Sequence, residues 1–206
     1  MYAAATVNLP NLRNISLTNI SVDRLTDVTR LTGLSSLTLS HMEEMPGSLA
    51  ILTGLRELCL PSSKDLAPAG FPFLRGMTAL TSLDLRNTYA TDLGVLSSLK
   101  SLAKLVVDDS VFPHSVDHMA SLTALTKLEV FMHYRTAAFW SHGGHGLVGL
   151  SSLTKLAGLT GLTQLCSLCV MRPLWDSSAV VYPLVPPMPR SCRVTTEYYS
   201  ESDDEN

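Results

Sequence analysis

The sequence predicts an α/β solenoid of about seven stacked coils over residues 1–171, in which short parallel strands alternate with helical or irregular return segments. Three observations predict this fold. Leucine occurs 36 times in 206 residues, and 34 of the leucines precede residue 172. A nine-residue pattern with apolar first, fourth, seventh and ninth positions recurs seven times. Five of the six steps between its copies fall within the ~20–29 residues of one coil.

The repeats run in register along the chain. They are LPNLRNISL (9–17), LTGLSSLTL (31–39), LTGLRELCL (52–60), MTALTSLDL (77–85), LKSLAKLVV (99–107), LTALTKLEV (122–130) and LTQLCSLCV (162–170). Their last positions are 22, 21, 25, 22, 23 and 40 residues apart. The 40-residue step therefore contains an insertion, which we place at about residues 134–150.

The last two apolar positions of each repeat predict a strand. Spacing of three alone would also suit an amphipathic helix, because LxxLxxL recurs throughout the chain. Leu37 and Leu39, however, are two residues apart, as are Leu83 and Leu85. Residues two apart share one face of a strand but lie nearly opposite each other on a helix. Each repeat is therefore predicted to end in a short strand.

The segments between the strands are predicted to return the chain to the start of the next coil. PGSLAILTGL (46–55) and HMASLTALTKL (118–128) suit a helical turn or a short helix. A unit of this size cannot bury its leucines alone, so each coil must stack on its neighbours. Parallel strands ~4.8 Å apart would then enclose a continuous leucine core.

These repeats resemble the leucine-rich repeat family over roughly residues 9–171. The resemblance implies a horseshoe with a parallel sheet on its concave side and a helical or irregular convex side. The LTGL, LTAL and SSL openings look like those of green algal and protist leucine-rich repeat proteins. Some members of that group are associated with the cytoskeleton and the ciliary axoneme, so the resemblance also suggests a cytoskeletal or axonemal localisation.

One position departs from the family pattern. Where the family often has an asparagine, three residues after the last leucine, this chain has Ile20, Met42, Ser63, Thr88, Ser110, His133 and Pro173. An asparagine ladder between coils is therefore not expected. The hydroxyl and imidazole side chains can replace part of its bonding, whereas Ile20 and Met42 cannot.

The two ends of the solenoid differ in sequence. A solenoid needs caps, because a terminal coil would otherwise expose its leucines. Residues 1–8 have no recognisable N-terminal cap, so the chain could be a fragment of a larger receptor or signalling protein, which is our second hypothesis. Residues 172–189, with Trp175 and Tyr182, are a candidate C-terminal cap. Residues 190–206 are predicted to be a disordered acidic tail.

Composition excludes several classes of protein. Residues 1–171 carry 12 basic and 12 acidic side chains, and residues 172–206 carry 3 and 6. A solenoid without positive excess is not expected to bind nucleic acid. Four irregularly spaced cysteines predict reduced thiols. No apolar run approaches the ~20 residues of a membrane span and no signal peptide is evident, so we expect a cytoplasmic protein.

The concave face is the candidate binding site, because the residues that alternate with the core leucines point away from the core. The charged and aromatic residues of that face are Glu57, Asp84, Arg86, Lys104, Asp108, Lys127, Glu129 and Phe131. Mixed charge beside an aromatic residue is typical of a protein-binding surface. We therefore predict a scaffold or recognition module that binds a protein partner, with neither catalytic activity nor a cofactor.

Three other patterns suggest chemistry but do not form complete motifs. Gly144, Gly146 and Gly149 spell GxGxxG within the insertion, where no strand precedes them, so we predict a loop. Cys166 and Cys169 form a lone CxxC, and strand alternation would place them on opposite faces. The third hypothesis, a metal-assisted hydrolase, would use histidines at His114, His118, His142 and His145, near Asp117 and His133, but the spacing lacks the glutamate of HExxH.

Overall fold

The computed structural model describes residues 9, 11–63, 71–88, 90, 93–108, 118–131, 162–173 and 192–199. Within these residues, eight parallel strands form one sheet in the order of the chain. The strands are β1 (Asn14–Thr18), β2 (Ser36–Ser40), β3 (Glu57–Cys59), β4 (Ser82–Asp84), β5 (Lys104–Asp108), β6 (Lys127–Phe131), β7 (Ser167–Pro173) and β8 (Arg193–Tyr199). This topology confirms the predicted leucine-rich repeat solenoid, with one strand more than the seven repeats.

The core is a set of apolar rows that run across the strands. One row consists of residues that are register neighbours on successive strands: Ile15, Leu37, Leu58, Leu83, Leu105, Leu128, Leu168 and Val194. Leu37 and Leu39 are both fully buried, as are Leu83 and Leu85. The two-residue spacing therefore marks strands that turn one face inward, as predicted.

The four return segments between β1 and β5 contain short helices, three of them of the 3-10 type. The α-helix α1 covers Val22–Val28, and 3-10 helices cover Gly47–Ile51, Pro72–Gly76 and Gly94–Ser98. The three-residue leucine spacing matches the i to i+3 hydrogen bonds of this geometry. For example, the Leu52 N–H donates to the Leu49 carbonyl at 3.0 Å, and the Leu55 N–H donates to the Leu52 carbonyl at 3.0 Å.

Neighbouring return segments pack closely. A Cβ added at Gly76 would lie 3.1 Å from the carbonyl oxygen of Ala50, on the preceding coil. A separation that short is tighter than ordinary van der Waals contact, so glycine is what lets the two segments approach. None of the helices in the described part of the chain is long and apolar enough to cross a membrane.

Four strands are followed by a residue with left-handed backbone geometry. These residues are Asn19, His41, Ser62 and Asn87, with φ between 50° and 57°. Asparagine and histidine tolerate this region better than most non-glycine residues. The N–H of Asn19 donates to the Ser40 carbonyl at 3.0 Å, and the N–H of Ser62 donates to the Arg86 carbonyl at 3.1 Å. These two turns thus join one coil to the next.

Hydroxyl groups replace part of the missing asparagine ladder, as expected. The Ser63 hydroxyl is buried and accepts a hydrogen bond at 3.1 Å from the backbone N–H of Met42, on the preceding coil. The Thr88 hydroxyl instead donates to the Leu85 carbonyl of its own coil at 2.7 Å. Ser110 and His133 lie outside the described residues.

The C-terminal region differs from the prediction. Residues 190–206 were expected to be disordered, but Arg193–Tyr199 form β8, which pairs in parallel with β7. The segment RVTTEYY is rich in the β-branched and aromatic residues that favour strands, and Val194 packs against the core. These properties outweigh the acidic composition. The candidate cap beyond Pro173, the insertion at 134–150 and the segment 200–206 lie outside the described residues.

Candidate protein-binding face

The sheet face opposite the core consists of three rows of side chains that cross the strands. We call it the sheet face; it is the predicted concave face. Its first row includes Glu57, Ser82, Lys104, Lys127, Ser167 and Arg193, its second Cys59, Asp84, Val106, Glu129, Cys169 and Thr195, and its third Asp108, Phe131, Met171 and Glu197. Arg86 lies two residues beyond Asp84. The strand register therefore places seven of the eight predicted site residues on one side of the sheet, and contacts with Asp84 and Phe131 place Arg86 beside them.

Arg86 is held by a carboxylate and an aromatic ring. Its Nε donates to Oδ2 of Asp84 at 2.9 Å and to Oδ1 at 3.1 Å, and its backbone N–H also donates to Oδ1 at 3.0 Å. Its guanidinium carbon lies 5.1 Å from the centroid of the Phe131 ring, within the range of a cation–π interaction. The hydrogen bond to Asp84 raises the pKa of Arg86. These contacts fix the guanidinium in one orientation.

Two lysines share a single carboxylate oxygen. Oε1 of Glu129 lies 2.7 Å from Nζ of Lys127 and 3.4 Å from Nζ of Lys104. Burial alone would raise the pKa of Glu129, but the hydrogen bond from Lys127 and the charges of both lysines outweigh it, so the pKa is lowered. The hydrogen bond and the charge of Glu129 also raise the pKa of Lys127.

The sheet face as a whole is not positively charged. Its basic residues are Arg86, Lys104, Lys127 and Arg193, and its acidic residues are Glu57, Asp84, Asp108, Glu129 and Glu197. Asp84 balances Arg86, whereas Glu129 balances only one of the two lysines. The Lys104 and Lys127 side chains are 39 % and 47 % exposed, while that of Glu129 is 14 % exposed. We refer to Lys104 and Lys127 as the lysine pair. Its two ammonium groups share one carboxylate, so the excess positive charge is local to these two side chains.

Three of the predicted site residues are buried rather than exposed. Asp84, Asp108 and Phe131 are 7 %, 1 % and 4 % exposed. Asp108 accepts a hydrogen bond from the backbone N–H of Asn87 at 2.9 Å. Phe131 belongs to a small apolar cluster with Val106 and Met171, separate from the main core. Strand alternation predicted the side of the sheet correctly but not the exposure, because exposure depends on what packs above each residue.

β8 adds residues that the sequence analysis did not assign to this face. Register places Arg193 beside Ser167, Thr195 beside Cys169 and Glu197 beside Met171. The alternation of polar and β-branched residues in RVTTEYY was the signal that could have identified them. The first row of the sheet face therefore ends, on the last strand, with the cationic side chain of Arg193.

The residues considered for other chemistry form no site in the described part of the chain. There, no group of three or more histidine, cysteine, aspartate or glutamate residues could hold a metal ion. His118 is exposed, whereas His114, Asp117, His133, His142 and His145 lie outside the described residues, as do Gly144, Gly146 and Gly149.

The four cysteines are free thiols. Cys166 is exposed and precedes β7, whereas Cys169 is buried on the sheet face beside Glu129. Burial and the neighbouring charge of Asp84 raise the pKa of Cys59 to about 12. The Cys59 thiol is therefore protonated at neutral pH.

No protein family and no curated protein matches the chain. Among solved structures, internalin C2 of Listeria monocytogenes is similar, with 21 % identity, a TM-score of 0.49, and coverage of 70 % of this chain and 55 % of that one. A second internalin of that bacterium has 19 % identity and a TM-score of 0.37, and the match covers 71 % of this chain and 50 % of that one. A plant ice-binding protein has 14 % identity and a TM-score of 0.42, and the match covers 92 % of this chain and 62 % of that one. The chain thus spans between half and two thirds of these structures' lengths, and its leucine-rich repeat architecture is seen in its own strand register and core.

Proposed function

We propose that this chain is a protein-binding repeat module that holds an acidic segment of a partner on its sheet face. The lysine pair would be the centre of the contact, and Arg86 would be a second, prearranged cation beside it. The module acts in recognition or as a scaffold, and it carries out no catalysis.

The shared oxygen of Glu129 is the observation that carries this proposal. Because both ammonium nitrogens contact that one atom, they lie no more than ~6 Å apart, a distance at which like charges repel appreciably near a protein surface. A carboxylate of a partner placed between them would complete the neutralisation. Hydrogen bonds to charged groups contribute ~1.5–3 kcal/mol each when water is excluded.

The dimensions of the sheet favour an elongated ligand. Eight strands ~4.8 Å apart give a face ~34 Å long, and strands of about five residues make it ~16 Å wide. Its area is below the ~800 Å² per partner of a standard interface. An extended segment lying across the strands fits such a face, whereas a globular partner would need contacts beyond it.

The test measures partner affinity after local charge reversal. The module and the double variant Lys104→Glu/Lys127→Glu would be used to capture partners from the native cell, and the Kd of each captured partner would then be measured by calorimetry. We expect the double variant to bind at least tenfold more weakly. Arg24→Glu/Arg30→Glu, on and just after α1, is the matched control, because these exposed residues undergo the same change of charge away from the sheet face. Equal affinity of all three proteins would disprove the proposal.

The cellular location is a second part of the proposal. The family resemblance of the repeat openings supports a cytoplasmic module with a cytoskeletal or axonemal partner. Fractionation of the native cell tests this: the protein should sediment with the cytoskeleton, and Lys104→Glu/Lys127→Glu should release it. Recovery of the protein only in other fractions would contradict this location without affecting the proposed binding face.

A further inference from the structure

Cys166 and Cys192 occupy equivalent positions on the last two coils. Each immediately precedes a strand, and the residues that follow them, Ser167 and Arg193, are register neighbours. The backbone N–H of Arg193 donates to the Cys166 carbonyl at 2.8 Å. Parallel neighbours are ~4.8 Å apart, which lies within the ~4.4–6.8 Å between Cα atoms that a disulfide can bridge.

Side chains at this position reach toward the preceding coil elsewhere in the solenoid. The hydroxyl of Ser35 donates to the Arg13 carbonyl at 3.2 Å, that of Thr81 to the Arg56 carbonyl at 3.1 Å, and that of Thr126 to the Ala103 carbonyl at 3.1 Å. The acceptor in each case is the equivalent residue one coil earlier. In the reduced chain the Cys192 thiol donates to the Arg193 carbonyl at 3.9 Å and the Cys166 thiol donates to the Gln164 carbonyl at 3.3 Å. Both side chains must therefore rotate before their sulfurs can meet, and the hydroxyls at the equivalent positions show that this position can reach the preceding coil.

The two thiols also differ in accessibility in a way that suits stepwise oxidation. Cys166 is exposed, and Cys192 is half-buried. Burial raises the pKa of Cys192, and the nearby charge of Cys166 contributes to the same shift. Cys169 is buried on the sheet face, so the CxxC spacing in the sequence does not bring it toward Cys166.

We propose that Cys166 and Cys192 form a reversible disulfide that fastens β8 to β7. The bond requires the two Cβ atoms to lie ~3.5–4.5 Å apart. The oxidised chain would hold its last strand covalently, and the reduced chain would hold it by hydrogen bonds and packing alone. This inference does not depend on the proposed binding function.

A low-molecular-weight disulfide such as oxidised glutathione is a sufficient oxidant. The Cys166 thiolate attacks one of its sulfurs, which forms a mixed disulfide and releases one glutathione thiolate. Cys192 then loses its proton and attacks the Cys166 sulfur, which releases the second glutathione. Two protein thiols are oxidised to one disulfide, and one glutathione disulfide is reduced to two thiols.

Mass spectrometry of the full chain tests the assignment. After incubation with oxidised glutathione, a non-reducing digest should contain the Cys166 and Cys192 peptides linked to each other, and dithiothreitol should separate them. Cys169→Ala should retain this link, whereas Cys166→Ser and Cys192→Ser should each abolish it. A link from Cys166 to Cys169, or glutathione remaining on Cys166, would overturn the proposal.

Hydrogen exchange tests whether the bond fastens the strand. The backbone amides of β8 should exchange about tenfold more slowly in the oxidised chain than in the reduced chain, since the disulfide opposes local opening. The amides of β2 are the internal control and should not change. Equal exchange of β8 in the two redox states would overturn the fastening role even if the disulfide formed.

Discussion

The carboxylate of Asp108 accepts a hydrogen bond from the backbone N–H of Asn87, on the preceding coil, at 2.9 Å. At the two turns formed by Asn19 and Ser62, the corresponding N–H donates to a backbone carbonyl of the next coil. Asp108 therefore supplies with its side chain an acceptor that the main chain supplies elsewhere. Because Asp108 is buried, we assign this side chain a structural role, which is to hold two neighbouring coils together.

Asp108→Ala should destabilise the chain, since it leaves the Asn87 N–H without this acceptor. An unsatisfied buried donor costs ~1–3 kcal/mol. Asp108→Asn keeps an oxygen at the position and should cost less than the alanine variant. Urea unfolding measures both. Unchanged stability of Asp108→Ala combined with weaker partner binding would show instead that Asp108 acts in binding.

Phe131 and Arg86 should be energetically coupled. Phe131→Leu keeps an apolar side chain but removes the ring that faces the Arg86 guanidinium, an interaction of ~0.5–2 kcal/mol. A double-mutant cycle with Arg86→Met isolates that contribution from the change in packing. The free energy of unfolding of the four proteins gives the coupling. Strictly additive effects would mean that the ring only fills space.

Glu129 should stabilise the fold more at neutral pH than in acid. Its pKa is lowered in the folded chain from an ordinary value of 4.5, so its contribution is present above that pH and is lost as the pH falls through the folded pKa. We expect Glu129→Gln to be less stable than the parent protein at pH 7, by ~0.5–1 kcal/mol for these partly exposed ion pairs. The difference should shrink in urea titrations below pH 4.5. A difference that stays constant between pH 7 and pH 3 would contradict the ion-pair assignment.

Cys59 should react slowly with alkylating reagents while the chain is folded. Only thiolates are nucleophilic, and a pKa of about 12 leaves almost none at pH 8. Labelling with iodoacetamide, followed over time by peptide mass spectrometry, should modify the exposed Cys166 well before Cys59. The urea-unfolded chain is the control, in which the two rates should converge. Equal rates in the folded chain would show that Cys59 is not protected.

The strands could be predicted from the sequence because leucine spacing reports them directly. Leu37 with Leu39 and Leu83 with Leu85 alternate with polar residues, and only a strand places both members of each pair in the core. β8 could not be predicted in the same way, because it has Val194 where earlier coils have leucine or isoleucine and Thr196 where they have leucine or valine. The acidic residues that follow it also shifted the interpretation toward disorder.

The arrangement of the candidate binding face could be predicted only in part. Alternation assigned Lys127 and Phe131 to the same side of the sheet, which the register confirms. It could not reveal that Phe131 is buried while Lys127 is exposed, or that Lys104 and Lys127 share one oxygen of Glu129. Such features depend on side-chain conformations and on packing between segments distant in sequence.

The thin layer of 3-10 helices on the outer side of the solenoid affects its curvature. Curvature arises when outer segments are wider than the spacing of the strands, so that each coil is wedge-shaped. Here 3-10 helices, which are tighter than α-helices, and the close approach of Gly76 to Ala50 reduce that taper. We expect the arc of the solenoid to have a wide radius, so that the sheet is nearly flat around the lysine pair. A straight segment of a partner can then reach these two lysines without a steric clash with the flanking coils.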